Sequence, residues 1–308
     1  MTHNDFIRYK LSILFLKLIS SFIPVKKYRR RLRLFLNKKF KIDYNKNYIV
    51  REYLKKYTYS PIESFQISKI ESSELPIWQL WFQGEESAPA IVKRCLDSVR
   101  KFSGNRKVIL LTEDNIREYV ELPQYIWDKK EQSIISNTHF SDILRVCLLE
   151  KFGGTWIDAT VLLTDHIPQK ILSQDFFAFS VPEGHINYDF HLFSNWFMHA
   201  QPNHPIVISI KESLLKYWES ENKLVDYFIF HLISYNNIKS QDVLNDLWDK
   251  VYYIDNVAVH EMQFGLIEPY SEDKFEYYKK QSTIHKLTYK INKVNEGDLL
   301  DKLIQVGV

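Results

Sequence analysis

The sequence is poor in cysteine and glycine. Cys95 and Cys147 are the only cysteines in 308 residues, so neither a disulfide framework nor a cysteine zinc site is available. Both lie in apolar helical patterns, which indicates buried thiols in a reducing compartment. Eight glycines beside 15% aromatic residues argue against a disordered chain and favour a packed globular protein.

Several well-known catalytic motifs are also missing. The chain has no GxxxxGK[ST] phosphate loop, no HExxH pair and no GxSxG nucleophile turn. Kinases, zinc proteases and serine hydrolases need these motifs for their chemistry, so the sequence gives no support to those classes.

Long apolar runs are absent as well. Leu11–Val25 is apolar but is interrupted by Lys17 and Pro24, and it is shorter than the roughly 20 residues that span a bilayer. The basic cluster follows this run instead of preceding it, which is the reverse of a secretory signal. Residues 1–41 hold twelve Lys and Arg against one acid, Asp5, so the rest of the chain is net acidic.

This basic amphipathic N-terminal extension, which we place at residues 1–60, allows three interpretations. A helix lying on an anionic membrane surface is favoured, because clustered Lys and Arg bind anionic headgroups. A helix packed on the body of the protein and a nucleic-acid-binding segment are the alternatives. A nucleic-acid binder would continue its basic patch into the folded body, so we expect no nucleic-acid partner.

The remainder, residues 61–308, has the pattern of an α/β domain. Pro76–Gly84 and Lys107–Thr112 read as strands, and the amphipathic segment 88–102 between them reads as a helix. This spacing predicts a βαβ unit in a Rossmann-like, mostly parallel sheet flanked by helices. Two further strands are predicted at Phe176–Val181 and Asn195–His199.

The stretch 141–164 organises this domain. We predict a helix capped by Ser141 and ended by Gly153-Gly154, followed by one strand from Trp156 to Leu163. The strand is apolar except for Asp158, and a buried carboxylate is costly unless cations or several donors compensate it. The carboxyl ends of strands in open α/β sheets are where ligands bind.

Asp142 and Arg145 stand three residues apart in the predicted helix, so they share one face. Spacing alone leaves two interpretations open. The pair can be an ordinary intrahelical ion pair beside a strand-end aspartate, or it can form a binding site together with Asp158.

The residues SDILR, FGG and WIDAT in this order resemble the core of the DXD sugar transferases of glycosyltransferase family 32, and within them the capsular polysaccharide synthesis proteins. The resemblance covers residues 76–290 and implies a GT-A-type fold. It implies that Asp142 and Arg145 hold the donor sugar and that Asp158 binds Mn2+ or Mg2+ on the nucleotide-sugar diphosphate. A full D-x-D places a second aspartate at position 160, where this chain has Thr160.

The resemblance also implies roles for four residues outside this core. Trp81 is expected to pack on the nucleotide base, with a place in the core as the alternative. Asp226 is expected near the acceptor or the reacting carbon, with a helix cap as the alternative. His285 is expected as a further metal ligand, and Lys286 is expected to neutralise the leaving diphosphate.

We therefore expect a glycosyltransferase, acting with retention, that uses a nucleotide-sugar such as a UDP-sugar. The expected acceptor is a lipid-linked or oligosaccharide glycan of a bacterial capsule or cell surface, reached from the cytoplasmic face of the membrane. The alternative is an inactive binding or scaffold protein of the same fold in a polysaccharide assembly complex. Thr160 in place of a carboxylate is the feature that supports this alternative.

Overall fold

The computed structural model describes most of the chain from Ile42 onwards. The described residues are 42–59, 65–182, 190–291 and 294–306, with helical positions 28, 31, 32, 35, 36 and 39. Most of the predicted N-terminal extension thus lies outside the described residues, and its membrane-surface role stays a prediction. In the described part, no helix combines the length and the apolar character needed to cross a membrane.

Helices and strands alternate along the chain. The helices are α1 Ile42–Leu54, α2 Ala90–Lys101, α3 Ile116–Tyr119, α4 Gln124–Glu131, α5 Asn137–Phe152, α6 Gln169–Leu172, α7 Pro205–Ser220, α8 Ile229–Lys239, α9 Asp242–Asp249, α10 Ala258–Gly265, α11 Glu272–Gln281 and α12 Leu299–Val306. The strands are β1 Ile77–Leu80, β2 Val108–Leu111, β3 Gly154–Ile157, β4 Val161–Leu163, β5 Phe176–Ser180, β6 Phe193–Ala200 and β7 Ile284–Lys286.

Five strands form the central sheet in the order β2-β1-β3-β6-β5. β1 pairs in parallel with β2 and β3, whereas β6 is antiparallel to both β3 and β5. Four strands thus run in one direction and β6 runs in the other. This confirms the predicted mixed α/β architecture with a mostly parallel sheet.

Both faces of the sheet are buried. Successive side chains of a strand point to opposite faces, and an apolar cluster covers each face. Trp78 and Trp156 belong to an apolar cluster that also holds residues of α5, α7 and α8. Ile77 and Ile157 belong to a second cluster on the opposite face, shared with β4 and β5. Burial on both sides explains why these strands read as continuous apolar runs.

Residues 42–57 also contribute to the core. Val50, Leu54 and Tyr57 are buried in the same cluster as Trp78, and the Asn236 side chain of α8 donates to the backbone carbonyl of Arg51 at 2.8 Å. This part of the predicted extension therefore packs on the body of the protein.

The predicted strand 156–163 was wrong in its length. β3 ends at Ile157, and a turn closes where the Val161 N–H donates to the Asp158 carbonyl at 2.9 Å. β4 then leaves the central sheet and pairs antiparallel with β7. The division places Asp158 at the carboxyl end of β3 instead of inside a longer strand.

The predicted start of the central helix was also wrong, whereas its end is confirmed. α5 is capped by Ser136, whose hydroxyl accepts from the His139 N–H, and not by Ser141. The helix ends at Gly153, which has φ of +64°, a conformation that glycine adopts at little cost. Gly154 follows with φ of +104°, and a Cβ there would lie 2.2 Å from the carbonyl oxygen of Pro76. Glycine is thus required where α5 turns into β3.

Candidate active site

A cavity of about 780 Å³ lies at the carboxyl ends of β1 and β3. Leu80 at the end of β1 and the next three residues line one side, and residues 158–160, which follow β3, line another. The first turns of α5 and the start of α8 complete the wall together with residues 286–290. The volume is within the range of pockets that hold small-molecule ligands.

Asp142 and Arg145 form an ion pair on the cavity side of α5. Both side chains are almost completely buried, with 8% and 4% of their surface exposed. Asn195 of β6 donates to the same Asp142 oxygen at 2.9 Å. Burial raises the pKa of the Asp142 carboxyl, and the positive charge of Arg145 opposes that rise.

Asp158 faces this pair across the cavity floor. One of its oxygens accepts from the indole N–H of Trp156 at 2.9 Å and lies 3.3 Å from the Arg145 guanidinium. The other oxygen lies 2.7 Å from the Lys286 ammonium. Burial acts to raise the pKa of Asp158, but Lys286 and Arg145 outweigh it and hold the pKa below its usual value. The carboxylate is therefore ionised at neutral pH.

Lys286 reaches Asp158 because β7 pairs with β4. It is the last residue of β7 and lies opposite Val161 in the register. Its ammonium also lies 2.8 Å from the hydroxyl of Thr160. The site thus joins two carboxylates and two cations from α5, the end of β3 and β7. Lys286 and Asp158, which are in contact, are 128 residues apart in sequence.

His285 is not brought together with Asp158. It precedes Lys286 in β7, so its side chain points to the opposite face of the strand. It is completely buried, does not line the cavity, and has one ring nitrogen 3.2 Å from the Thr164 hydroxyl. Burial lowers its pKa to about 4, so the ring is neutral.

Asp226 lies behind the cavity wall instead of in it. Its carboxylate accepts from the backbone N–H of Phe228 at 2.8 Å, which shapes the turn before α8. This geometry favours the structural alternative for Asp226. The turn presents the next two residues, Tyr227 and Phe228, on the cavity rim, where Tyr227 is 62% exposed.

Trp81 also lines the cavity. Tyr289 stands perpendicular to it, with ring centroids 5.5 Å apart. The buried indole nitrogen of Trp81 has no hydrogen-bond partner in the described part of the chain. The two rings form an aromatic surface beside the charged residues.

His231 of α8 lines the cavity near Arg145 and stacks on His191, with ring centroids 4.7 Å apart. Burial lowers the pKa of His231 to about 3, and the neighbouring His191 and Arg145 add to this effect. The ring is therefore neutral and contributes no charge to the site.

The residues at Asp158 do not fit the expected Mn2+ or Mg2+. Such ions commonly bind one or two protein carboxylates through free oxygens and complete their shell with waters and substrate phosphates. Both oxygens of Asp158 are already bound by cationic or N–H donors. Across the described ranges, no group of three or more His, Cys, Asp or Glu side chains is arranged to hold a metal ion.

Sequence reasoning missed two residues that hold the carboxylates. Trp156 is two residues before Asp158, and residues i and i+2 of a strand lie on the same face, so the sequence could have predicted this contact. Asn195 comes from β6, and only the antiparallel pairing of β6 with β3 brings it to Asp142. The sequence carries no local signal for that contact.

The chain matches the family described as "Capsular polysaccharide synthesis protein" over residues 30–303. The match spans most of the sequence and includes every element that lines the cavity. The chain belongs to this family of capsular polysaccharide synthesis proteins.

No curated protein matches the chain in sequence. Among solved structures, it is similar to one described as "PaToxG Glycosyltransferase", with 14% identity and a TM-score of 0.36. That similarity covers 71% of this chain and 84% of the other. Nothing about activity follows from a similarity at this level.

Proposed function

We propose that the protein is a glycosyltransferase of GT-A type that moves a sugar from a nucleotide-sugar, most simply a UDP-sugar, to a growing capsular or cell-surface glycan. The observation that carries the proposal is the cavity in which Asp142, Arg145, Asp158 and Lys286 meet beside an aromatic wall. Membership in a capsular polysaccharide synthesis family supports the choice of reaction and product.

A nucleotide-sugar presents a flat base, an anionic diphosphate and a sugar with several hydroxyls. The aromatic surface of Trp81 and Tyr289 suits the base, because stacking on a ring needs no specific hydrogen bonds. The ammonium of Lys286 suits the diphosphate, since a fixed cation stabilises charge on a leaving group.

Asp142 and Arg145 suit the sugar. Both residues line the cavity, and their mutual contact and Asn195 fix them in place. Groups held rigidly in this way orient a substrate without losing freedom when it binds. We propose that this pair positions the donor sugar for attack by the acceptor.

The aromatic rim near α8 suits the acceptor. Tyr227 and Phe228 present exposed rings at the rim nearest α8, and aromatic rings stack on the faces of sugars. We propose an oligosaccharide or lipid-linked acceptor at this rim. Retention at the anomeric carbon and a place at the inner face of the membrane are proposed on the family resemblance and the basic N-terminal extension.

The experiment is heat stabilisation by UDP, GDP, CDP, ADP and a panel of UDP-sugars. A ligand that binds only the folded state at 100 times its Kd adds about 2.7 kcal/mol of stability. We expect one nucleotide to raise the melting temperature and its sugar conjugate to raise it further. The Asp142→Asn variant should keep the shift with the nucleotide and lose the increment due to the sugar.

A chain that no nucleotide stabilises would contradict the proposal. It would favour the inactive scaffold protein, which keeps the fold without donor binding. If the sugar conjugate raised the melting temperature of wild type and Asp142→Asn by the same further amount, only the sugar-binding role of Asp142 would be refuted.

A further inference from the structure

The surroundings of Lys286 carry an inference that rests on the proposed function. Its ammonium is held by the side chains at positions 158 and 160, at 2.7 Å from Asp158 and 2.8 Å from Thr160. In a D-x-D motif, these are the two positions whose carboxylates face a divalent ion. A lysine from β7 therefore stands where the motif would place the metal.

The residue at position 160, which differs from the D-x-D motif, agrees with this arrangement. An aspartate there would add a second negative charge beside Asp158 and favour a dication. Thr160 instead offers a neutral hydroxyl that accepts from the ammonium. One carboxylate and one hydroxyl match the charge and the donors of a lysine better than those of Mn2+ or Mg2+.

The charge of the whole cavity also favours an anion without a metal. Its charged wall residues in the described part are Asp142, Asp158, Arg145, Lys286 and Lys290, and His231 is neutral. Three cations against two carboxylates leave the wall net positive. A divalent ion would have to enter beside an ammonium that is already paired.

An ammonium has three N–H donors. Asp158 and Thr160 accept two of those of Lys286, and the third has no acceptor in the described portion of the chain. Lys286 lines the cavity, and its side chain keeps 18% of its surface exposed. It is therefore fixed in position and still open to a ligand on the cavity side.

We propose that Lys286 replaces the divalent metal of this site, so that the protein binds the diphosphate of its donor without Mn2+ or Mg2+. Asp158 serves as the positioning residue that holds the ammonium, and it is not a metal ligand.

The first test is calorimetry with UDP as the probe, in EDTA and in Mn2+, on wild type and on variants. Wild type should bind equally in both. Lys286→Met should lose at least about tenfold in EDTA, since a hydrogen bond to a charged group is worth that much or more. Lys286→Met combined with Thr160→Asp restores a D-x-D and should regain binding only in Mn2+.

The matched control is Lys290→Met, which removes the same charge from the cavity rim. It should weaken UDP binding less than Lys286→Met. An equal loss would mean that the general field of the cavity, and not the held ammonium, binds the diphosphate. Wild-type binding that requires Mn2+ would overturn the proposal directly.

The second test is an electron paramagnetic resonance titration of Mn2+ without nucleotide, which decides the inference even if UDP does not bind. Wild type should leave Mn2+ free, whereas the double variant should bind it. Wild type that binds Mn2+, with loss of that binding in Asp158→Asn, would overturn the inference. Absence of UDP binding under every condition would instead count against the proposed function.

Discussion

Replacing Asp142 by asparagine tests whether the buried ion pair belongs to the site or only to the helix. The chain provides a control of the same geometry, because Asp97 and Arg100 form an Asp–Arg pair three residues apart in α2. That pair is exposed, with 58% and 40% of the two side chains accessible, whereas Asp142 and Arg145 are 8% and 4% accessible. The two substitutions therefore differ mainly in burial.

The difference in burial sets the expected energies. Removing one partner of a buried pair costs about 3–5 kcal/mol, because the remaining charge is left without compensation. Arg145 keeps Asp158 at 3.3 Å in the Asp142→Asn variant, so we expect the lower end of that range, about 3 kcal/mol. Asp97→Asn should cost at most about 1 kcal/mol, as is usual for exposed pairs.

The assays are urea unfolding for stability and sugar transfer or donor hydrolysis for activity. Asp142→Asn should remain folded and lose at least about 100-fold in turnover, because the donor sugar is no longer fixed. Asp97→Asn should keep wild-type turnover. Equal unfolding costs for the two variants would refute the reasoning on burial, and an active Asp142→Asn would refute the role in sugar binding.

Three further predictions concern other parts of the molecule. Gly154→Ala should destabilise the protein by at least about 3 kcal/mol in urea unfolding, because the added Cβ would clash with the Pro76 carbonyl. The control is Gly104→Ala, which has φ of +64° but open space around the added Cβ and should cost about 1–2 kcal/mol. Similar costs for the two variants would contradict the clash. His231 has a folded-state pKa of about 3, so the free energy of unfolding should fall as the pH drops below about 6.5. His231→Gln should reduce the slope of the unfolding free energy against pH by about 1.4 kcal/mol per pH unit. An unchanged slope would refute the burial of the neutral His231 ring. Trp81→Ala should weaken UDP binding about 5- to 150-fold in calorimetry if the indole stacks on the base. Unchanged affinity would mean that Trp81 belongs only to the core.

The parts of the fold that the sequence predicts well are those set by local patterns. β1, α2 and β2 follow from apolar periodicity over short stretches, and the end of α5 follows from Gly153. The division of the predicted strand after Ile157 has no local signal. It depends on β7, which pairs with β4 from a distant part of the chain.

The candidate site shows the same contrast. Asp142, Arg145 and Asp158 were predicted together, and they meet because one helix and the next strand carry all three. His285 was expected at the metal and Lys286 at the diphosphate, but adjacent residues of a strand face opposite ways, so only Lys286 reaches Asp158. Which of the two side chains faces Asp158 depends on how β7 pairs with β4, and the local sequence does not predict that pairing.

The most direct test of the account is the release of nucleotide from purified protein incubated with a panel of nucleotide-sugars in the absence of acceptor. Transferases commonly pass their donor sugar slowly to water, so we expect free sugar and UDP from at least one UDP-sugar. The activity should be lost in Asp142→Asn and kept in Asp97→Asn. Hydrolysis of no nucleotide-sugar, together with no binding of one, would contradict the assignment of this cavity to sugar transfer.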